Sequence, residues 1–555
     1  MSETRAPARA ALTLAACARA LARTALALVG LVMALALAAA GCGGVARRAT
    51  ARYAARGVSR PTTAPSAPPS PYRWLVRTRG PAPSIARENR ARGTAAWRLP
   101  GPPSLIGGEA RGPVEGYVAH QAVVAGEIER VYANAPGAGE LTLSVYRMGW
   151  YHGAGGRLVL QSEELGAARQ PPCAHNSLTG LTECRWHATL SFAIPSALPS
   201  GVYVIRLNAS DGARADCLFV VRSRRRARLL VELPTATWEA YNSWGGDSLY
   251  PGGKPVRATG STQGVEVSYD RPYASQTGAG QFFIREVAMV RFLERHGYPV
   301  AYTTIDSIDA DPRQATGARA LIDVGHSEYW SGRDERAFAR ARDRGTDLLF
   351  FSSDTMAWRV RFAPATGVSS QAGERDHRIV AYKQYAARDP DRADPSGLFP
   401  QGGANIAGSA YDGCITPRVP GAGPPVYRLY HWAPAPGLRP RWLFAHSGVN
   451  ARTRIAGIVG YELDQTTAGS PHGTAVLGGG RGVCAPHFEP APARGTLAQS
   501  TLYVARSGAF VFAAGTLAWE YGLAPVPQAS PDAPAKPDAR VVAMTRNLLA
   551  HALAH

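Results

Sequence analysis

Lysine is almost absent. Only Lys254, Lys383 and Lys536 occur in 555 residues, so the positive charge is nearly all arginine. Acidic residues are scarce at the start: residues 1–100 hold sixteen Arg against Glu3 and Glu88 alone. That stretch carries +14 of the formal +20, which leaves the other 455 residues with +6. A mildly basic body with its excess spread out lacks the footprint of a nucleic-acid binder, and no nucleic-acid partner is expected. The basic start reads instead as a targeting and tether segment. No CxxC and no Cys/His spacing of a zinc site appears, and no internal repeat is evident. What is present in quantity is apolar: 45% hydrophobic beside 18% charged excludes a wholly disordered chain and supplies a large core.

Arg5, Arg9, Arg19 and Arg23 precede seventeen uncharged residues, Ala25 to Gly41. The run is short for a spanning helix and fits the core of an export signal. It ends in LALAAAGCGG, where the small residues before Cys42 resemble a bacterial lipobox. Residues 1–41 are then a lipoprotein-type signal peptide, and Cys42 carries lipid that tethers the protein to a membrane. The plainer alternatives are an ordinary cleaved signal or an uncleaved anchor. Every version puts the body outside the cytoplasm, where disulfides are permitted. Cys173 and Cys184 flank a Pro/Asn/Gly-rich loop, which predicts a bridge closing a hairpin. Cys414–Cys484 is the second expected pair, and Cys217, in the apolar run ADCLFVV, is expected as a buried thiol.

Residues 42–100 are rich in Arg, Pro, Ala and Ser and read as a disordered tether. From 101 to 226 short alternating runs (ELTLSVYRMGWY, GVYVIRLNA, DCLFVVRS) separated by turn residues predict an antiparallel, Ig-like β-sandwich. From 228 to 523 strand and helix patterns alternate. LLVELP, YPVAYTT, ALIDVG and TDLLFFSS are strands. FFIREVAMVRFLERHG and DERAFARARDRG are helices. This predicts an α/β domain with a mainly parallel, doubly wound sheet. Shorter β-like runs beyond about 365, AGIVGYELD and TAVLGGG among them, read as strands added to the same domain. Residues 524–555 are a Pro-rich segment and a final helix.

In an open α/β sheet, ligands bind beyond the carboxyl ends of the strands. Three strands run there into unusual polar clusters: LLVELP into TATWEAYNSW, ALIDVG into HSEYWS, and TDLLFF into SSDTMAWR. Tyr241, His326, Glu328 and Asp354 therefore converge at one edge. Singly, each has a plainer reading. Tyr241 serves as a rim aromatic, His326 as a helix cap, Glu328 as an arginine partner and Asp354 as a turn residue. Their co-location favours a site.

The ordered set TWEAYNSWGGDSLY, SYDRPY, EVAMVRFLERHGYPVAYTT, GHSEYW, FFSSDTMAWRVRF and AYKQYAARDP resembles the C-terminal domain of the large subunit of N,N-dimethylformamidase and its relatives. The resemblance covers roughly 228–550, and SVYRMGWYHGAGGR with PSGVYVIRL resembles the domain that precedes it there. It implies an amide hydrolase with a mononuclear iron, Fe(III), held by two tyrosines and a glutamate. The glutamate falls on Glu328, and a supporting histidine on His326. Asp354 stands where the family has Asn, and Ser327 where relatives commonly have Asp. One tyrosine matches Tyr241, with Tyr250 competing. The other falls on Tyr203, with Tyr269 as a rival. The expected partners are a small amide-type substrate and a second copy of the chain or a small partner subunit.

The chemistry is coherent on its own terms. Phenolate and carboxylate oxygens are hard donors that suit a hard cation. A phenol ionises near pH 10, so only a strong nearby charge holds it ionised at neutral pH. Such a metal acidifies water and polarises a carbonyl, and His326 passes a proton to the departing amine. Two rival readings remain. GHSEY resembles a nucleophile elbow with Ser327 attacking, although Tyr329 replaces its second glycine. The other is a non-enzymatic, lipid-tethered module binding glycans or other ligands.

Overall fold

The strand-rich runs pair across long sequence separations. The computed structural model describes residues 70–99, 112–274, 278–365, 377–419, 426–485, 496–526 and 530–554. The expected signal peptide, Cys42 and the expected tether up to residue 69 lie outside the described residues. Glu140–Met148, Gly201–Ala209 and Arg214–Arg222 alternate β-branched and aromatic residues and form the centre of one antiparallel sheet. A three-stranded sheet of Glu115–Val118, Ile128–Asn134 and Leu190–Ala193 belongs to the same layered unit. Val131, Leu143, Val145, Phe192, Ile205 and Phe219 lie buried in one core cluster drawn from both sheets. One pair departs from the expected pattern: Ala122–Val124 runs parallel to Arg214–Arg222.

The folded body begins before residue 101. Tyr72–Trp74 pairs with Leu160–Ser162 as an added strand. Trp97 stacks on Phe283 at 5.3 Å between ring centroids. The expected tether over 42–100 is therefore corrected for residues 70–99. Three aromatic anchors, Tyr72, Trp74 and Trp97, outweigh the Pro/Arg-rich composition.

A nine-stranded sheet organises the rest. Its strands are β1 (Leu229–Leu233), β2 (Val300–Thr304), β3 (Ala320–His326), β4 (Asp347–Ser353), β5 (Tyr430–Pro434), β6 (Ile455–Val459), β7 (Ala475–Gly482), β8 (Thr496–Val504) and β9 (Phe510–Ala513). The order is β2-β1-β3-β4-β9-β8-β7-β5-β6. The first five are parallel to their neighbours, and the remainder join antiparallel. The sheet is thus mixed rather than mainly parallel, and the protein is rich in β-structure with few helices. The crossovers include the helices Val287–Arg295 and Gly332–Asp343; the second carries a Ser331/Asp334 capping box. Antiparallel neighbours need no crossover helix, and the connection from Thr496–Val504 to Phe510–Ala513 is a short turn.

Cys173–Cys184 and Cys414–Cys484 are disulfides, and Cys217 is a buried thiol. Two disulfides are characteristic of a chain that folds outside the reducing cytoplasm. Among the described residues no helix is long and apolar enough to cross a membrane.

Candidate active site and metal centre

Parallel pairing sets the site. β3 and β4 are in register so that His326 lies opposite Ser353, which places Glu328 and Asp354 just beyond adjacent strand ends. β1 lies on the other side of β3 and runs into the helix Thr235–Ala240, with Tyr241 as its C-cap. Gly325 has φ +70, and a Cβ there would meet the Glu286 carboxylate at 2.3 Å, so the turn that presents His326 requires glycine. Thr237 accepts hydrogen bonds from the backbone N–H groups of Glu328 (3.0 Å) and Tyr329 (3.3 Å), pinning that loop to the first helix.

His326 is fully buried and faces three carboxylates. Its Nε2 lies 2.9 Å from Glu462, 3.4 Å from Glu328 and 3.9 Å from Asp354. Burial alone would lower the imidazole pKa. Glu462, with Asp354 and Glu328, overrides burial and raises it to about 10. Burial, followed by the charge of Glu328, pushes the Asp354 carboxyl well up. Asp354 adopts a left-handed backbone (φ +53), which Asp and Asn tolerate best, and its N–H donates to Asp464 at 2.7 Å.

The tyrosines form the second half of the cluster. Tyr250 donates to Glu328, with its hydroxyl 2.8 and 3.0 Å from the two carboxylate oxygens, and it accepts from the Tyr329 hydroxyl at 2.9 Å. The Tyr241 ring packs 4.4 Å from Tyr250 and 5.2 Å from His326. Burial and then Glu328 drive the pKa values of all three phenols well up. Lys383 sits over the Tyr250 ring at 3.5 Å, and Arg285 over the Tyr461 ring at 4.4 Å.

The structure thus brings Tyr241, His326, Glu328 and Asp354 together. It does not bring Tyr203. That side chain lies in the sandwich core, stacked on Phe219 and donating to the Pro199 carbonyl at 2.6 Å, because the alternation of a central strand turns it inward. Tyr269 lies elsewhere, near Asp306. Tyr250 is the second tyrosine beside Glu328. Ser327 accepts a hydrogen bond from Trp330 Nε1, and no histidine hydrogen-bonds its hydroxyl among the described residues, which removes the nucleophile-elbow arrangement. Sequence reasoning missed Glu462, Tyr329, Tyr461 and Lys383. The one available signal for Glu462 was an acid inside the apolar run AGIVGYELD.

The donor set fits a cation. Single ligand atoms of His326, Asp354 and Glu462 all lie within 4.8 Å of one another. Both ring nitrogens of His326, Oδ1 of Asp354 and Oε2 of Glu462 are buried without a hydrogen bond. The 2.9 Å approach of His326 to Glu462 is thus an ion-pair distance without hydrogen-bond alignment. Three buried carboxylates around one imidazole leave negative charge in excess, and hard oxygen donors dominate.

Residues 142–533 match the family described as N,N-dimethylformamidase beta subunit-like, C-terminal. The chain belongs to that family. The match includes much of the sandwich as well as the mixed sheet, so both layers are part of the family's domain. No curated protein matches the chain. Among solved structures, a Paenibacillus sp. cycloisomaltooligosaccharide glucanotransferase complexed with cycloisomaltoheptaose is 10% identical, with a TM-score of 0.15. The alignment covers 46% of this chain and 46% of that one, a likeness too slight to bear on fold or function.

Proposed function

We propose that the protein is an extracytoplasmic, metal-dependent hydrolase of C–N bonds in small amides. The observation that carries this reading is the fully buried His326 enclosed by Glu462, Glu328 and Asp354 beside the Tyr250–Glu328 pair. Family membership supports it. In the same reading, residues 101–226 act as an Ig-like sandwich that supports a doubly wound catalytic layer over 228–523.

Glu328, Tyr241 and Tyr250 are the residues that would hold a mononuclear iron, Fe(III). When bound, such an ion supplies a Lewis acid that acidifies water and polarises an amide carbonyl. The remaining steps belong to the chain. Glu462 holds His326 as an imidazolium, with its pKa raised to about 10. The Nε2 proton passes to the nitrogen of the departing amine as the C–N bond breaks. The buried walls exclude bulk water and keep that proton from exchanging early. Asp354 places a titratable carboxyl, its pKa pushed up by burial and by Glu328, where the family has an amide, so the contact with substrate at this position differs from the family's.

A second arrangement, favoured by the close approach of their ligand atoms, puts the cation on His326, Asp354 and Glu462. Elemental analysis with a visible spectrum separates the two. Tyrosinate–iron(III) charge transfer colours the protein in the first and is missing in the second. A protein that binds no metal and turns over no amide is instead a ligand-binding module.

The same proposal includes a lipid anchor on Cys42, which reaches the membrane, and assembly with a second copy or a small subunit. Fatty-acid labelling in a bacterial host, abolished by Cys42→Ala, tests the anchor. Sedimentation of the purified protein tests the assembly.

A further inference from the structure

We propose a second ligand site, for a small organic carboxylate, in the cleft between the three-stranded sheet of the sandwich and the helix Ile305–Ala310. The cleft encloses about 720 Å³, a volume typical of small-molecule sites. Arg222, at the end of the strand Arg214–Arg222, lines it together with Tyr269 and Asp306. It shares no lining residue with the His326 cluster, and nothing in the proposal rests on the amide-hydrolase reading.

Two donors in its wall lack partners. Tyr269 is 3% exposed, yet its hydroxyl makes no hydrogen bond. Thr235, close to it, donates its own proton to Asp306 at 2.5 Å. Arg222 is half-buried and its charge reaches Asp306 and Asp311, but its Nε is buried without a hydrogen bond and it makes no close ion pair among the described residues. The other charged groups of the wall are engaged. His120 meets Glu129 at 3.4 Å, His377 meets Asp270 at 3.0 Å, and Asp311 meets Arg313 at 2.7 Å. Glu127 accepts from the Val124 N–H at 2.8 Å.

The wall also holds Arg130, which has a partner of its own, so what the cleft leaves unsatisfied is the Arg222 Nε–H and the Tyr269 hydroxyl, both donors. Buried donors without acceptors are unfavourable. A carboxylate satisfies both, one oxygen pair facing the planar guanidinium and a lone pair taking the phenol proton. A cationic ligand is repelled by Arg222, and a neutral amide supplies a single, weaker acceptor oxygen.

Calorimetric titration of the purified full chain with acetate and benzoate, against benzamide and benzylammonium, tests the site. Saturable carboxylate binding is expected, with the neutral and cationic analogues weaker by about tenfold or more, the difference one charge-assisted hydrogen bond makes. Arg222→Gln should lose about tenfold or more in carboxylate affinity. Tyr269→Phe should lose a smaller factor, and both variants should keep the metal content of the parent. Failure of the carboxylates to bind at millimolar concentration overturns the proposal. So does equal or tighter binding of benzamide or benzylammonium. Carboxylate binding that survives both substitutions belongs to another place and also overturns it.

Discussion

His326 is fully buried, and what fixes its charge is Glu462 at 2.9 Å. Glu462→Gln keeps the shape and removes the charge. The imidazolium then gives up its proton at lower pH, because the chief interaction that raised its pKa is gone. If His326 protonates the leaving amine, activity is lost on the alkaline side as that proton is lost. The alkaline limb of the pH–rate profile should therefore move to lower pH in Glu462→Gln; an unmoved limb removes His326 from the proton step. Asp354→Asn isolates the other departure from the family. Asn tolerates the left-handed backbone as well as Asp does, so the fold should hold and the melting temperature should change little. Metal affinity should fall by about tenfold to a hundredfold, the range seen when a group beside the ligands is removed. Equilibrium dialysis reads this without any turnover. At this scale His326, Glu328 and Asp354 were legible in the sequence because all three sit at or within two residues of the ends of two adjacent strands. Tyr203 misled because a tyrosine on a central strand packs inward, and the motif does not say which face it takes. Glu462 was hidden because its approach to His326 depends on strands far along the chain.

The strand Glu462–Gln465 that delivers Glu462 pairs antiparallel with Ala410–Ile415, with Cys414 opposite Leu463. The Cys414–Cys484 disulfide therefore ties down the neighbour of a site residue, closing a separation of 70 residues. Chain entropy for such a loop is worth about 4 kcal/mol, against about 3 for the shorter Cys173–Cys184 loop. Replacing Cys414 and Cys484 by Ser should lower the melting temperature more than replacing Cys173 and Cys184. Only the first pair should also lower metal affinity. Equal losses from both pairs, by scanning fluorimetry with and without metal, would detach this bridge from the site. The strand ends on the parallel side were readable because strand–helix alternation is a local pattern. The antiparallel half was visible as β-like runs, but its order in the sheet was not, since adjacency depends on pairings between distant segments.

Across the whole molecule, segment 70–99 acts as a clamp. The Tyr72–Trp74 strand covers an edge at Leu160–Ser162. Asn89 donates to Glu294 at 2.7 Å and accepts from the N–H groups of Trp150 and Tyr151 at 2.7 and 3.0 Å. Glu294 in turn holds the fully buried Arg147 at 2.8 Å, joining the helix Val287–Arg295 to the sandwich. Glu88 accepts from the Tyr151 hydroxyl at 2.9 Å and from Arg157 at 2.8 Å. Composition hid this role, because each anchor meets a partner that lies far along the chain. A chain beginning at Ser70 should melt with the full-length protein. One beginning at Ser104 loses the edge strand, the Trp97–Phe283 stack and the Asn89 contacts together. Removal of several buried groups costs about 3–5 kcal/mol, which for a body this large lowers the melting temperature by about 3–5 °C or leaves the product aggregated. Scanning fluorimetry and light scattering on the two chains read both outcomes. Equal melting of monomeric products would show residues 70–103 to be the passive spacer their composition implied, and the Arg147–Glu294 pair to be self-sufficient.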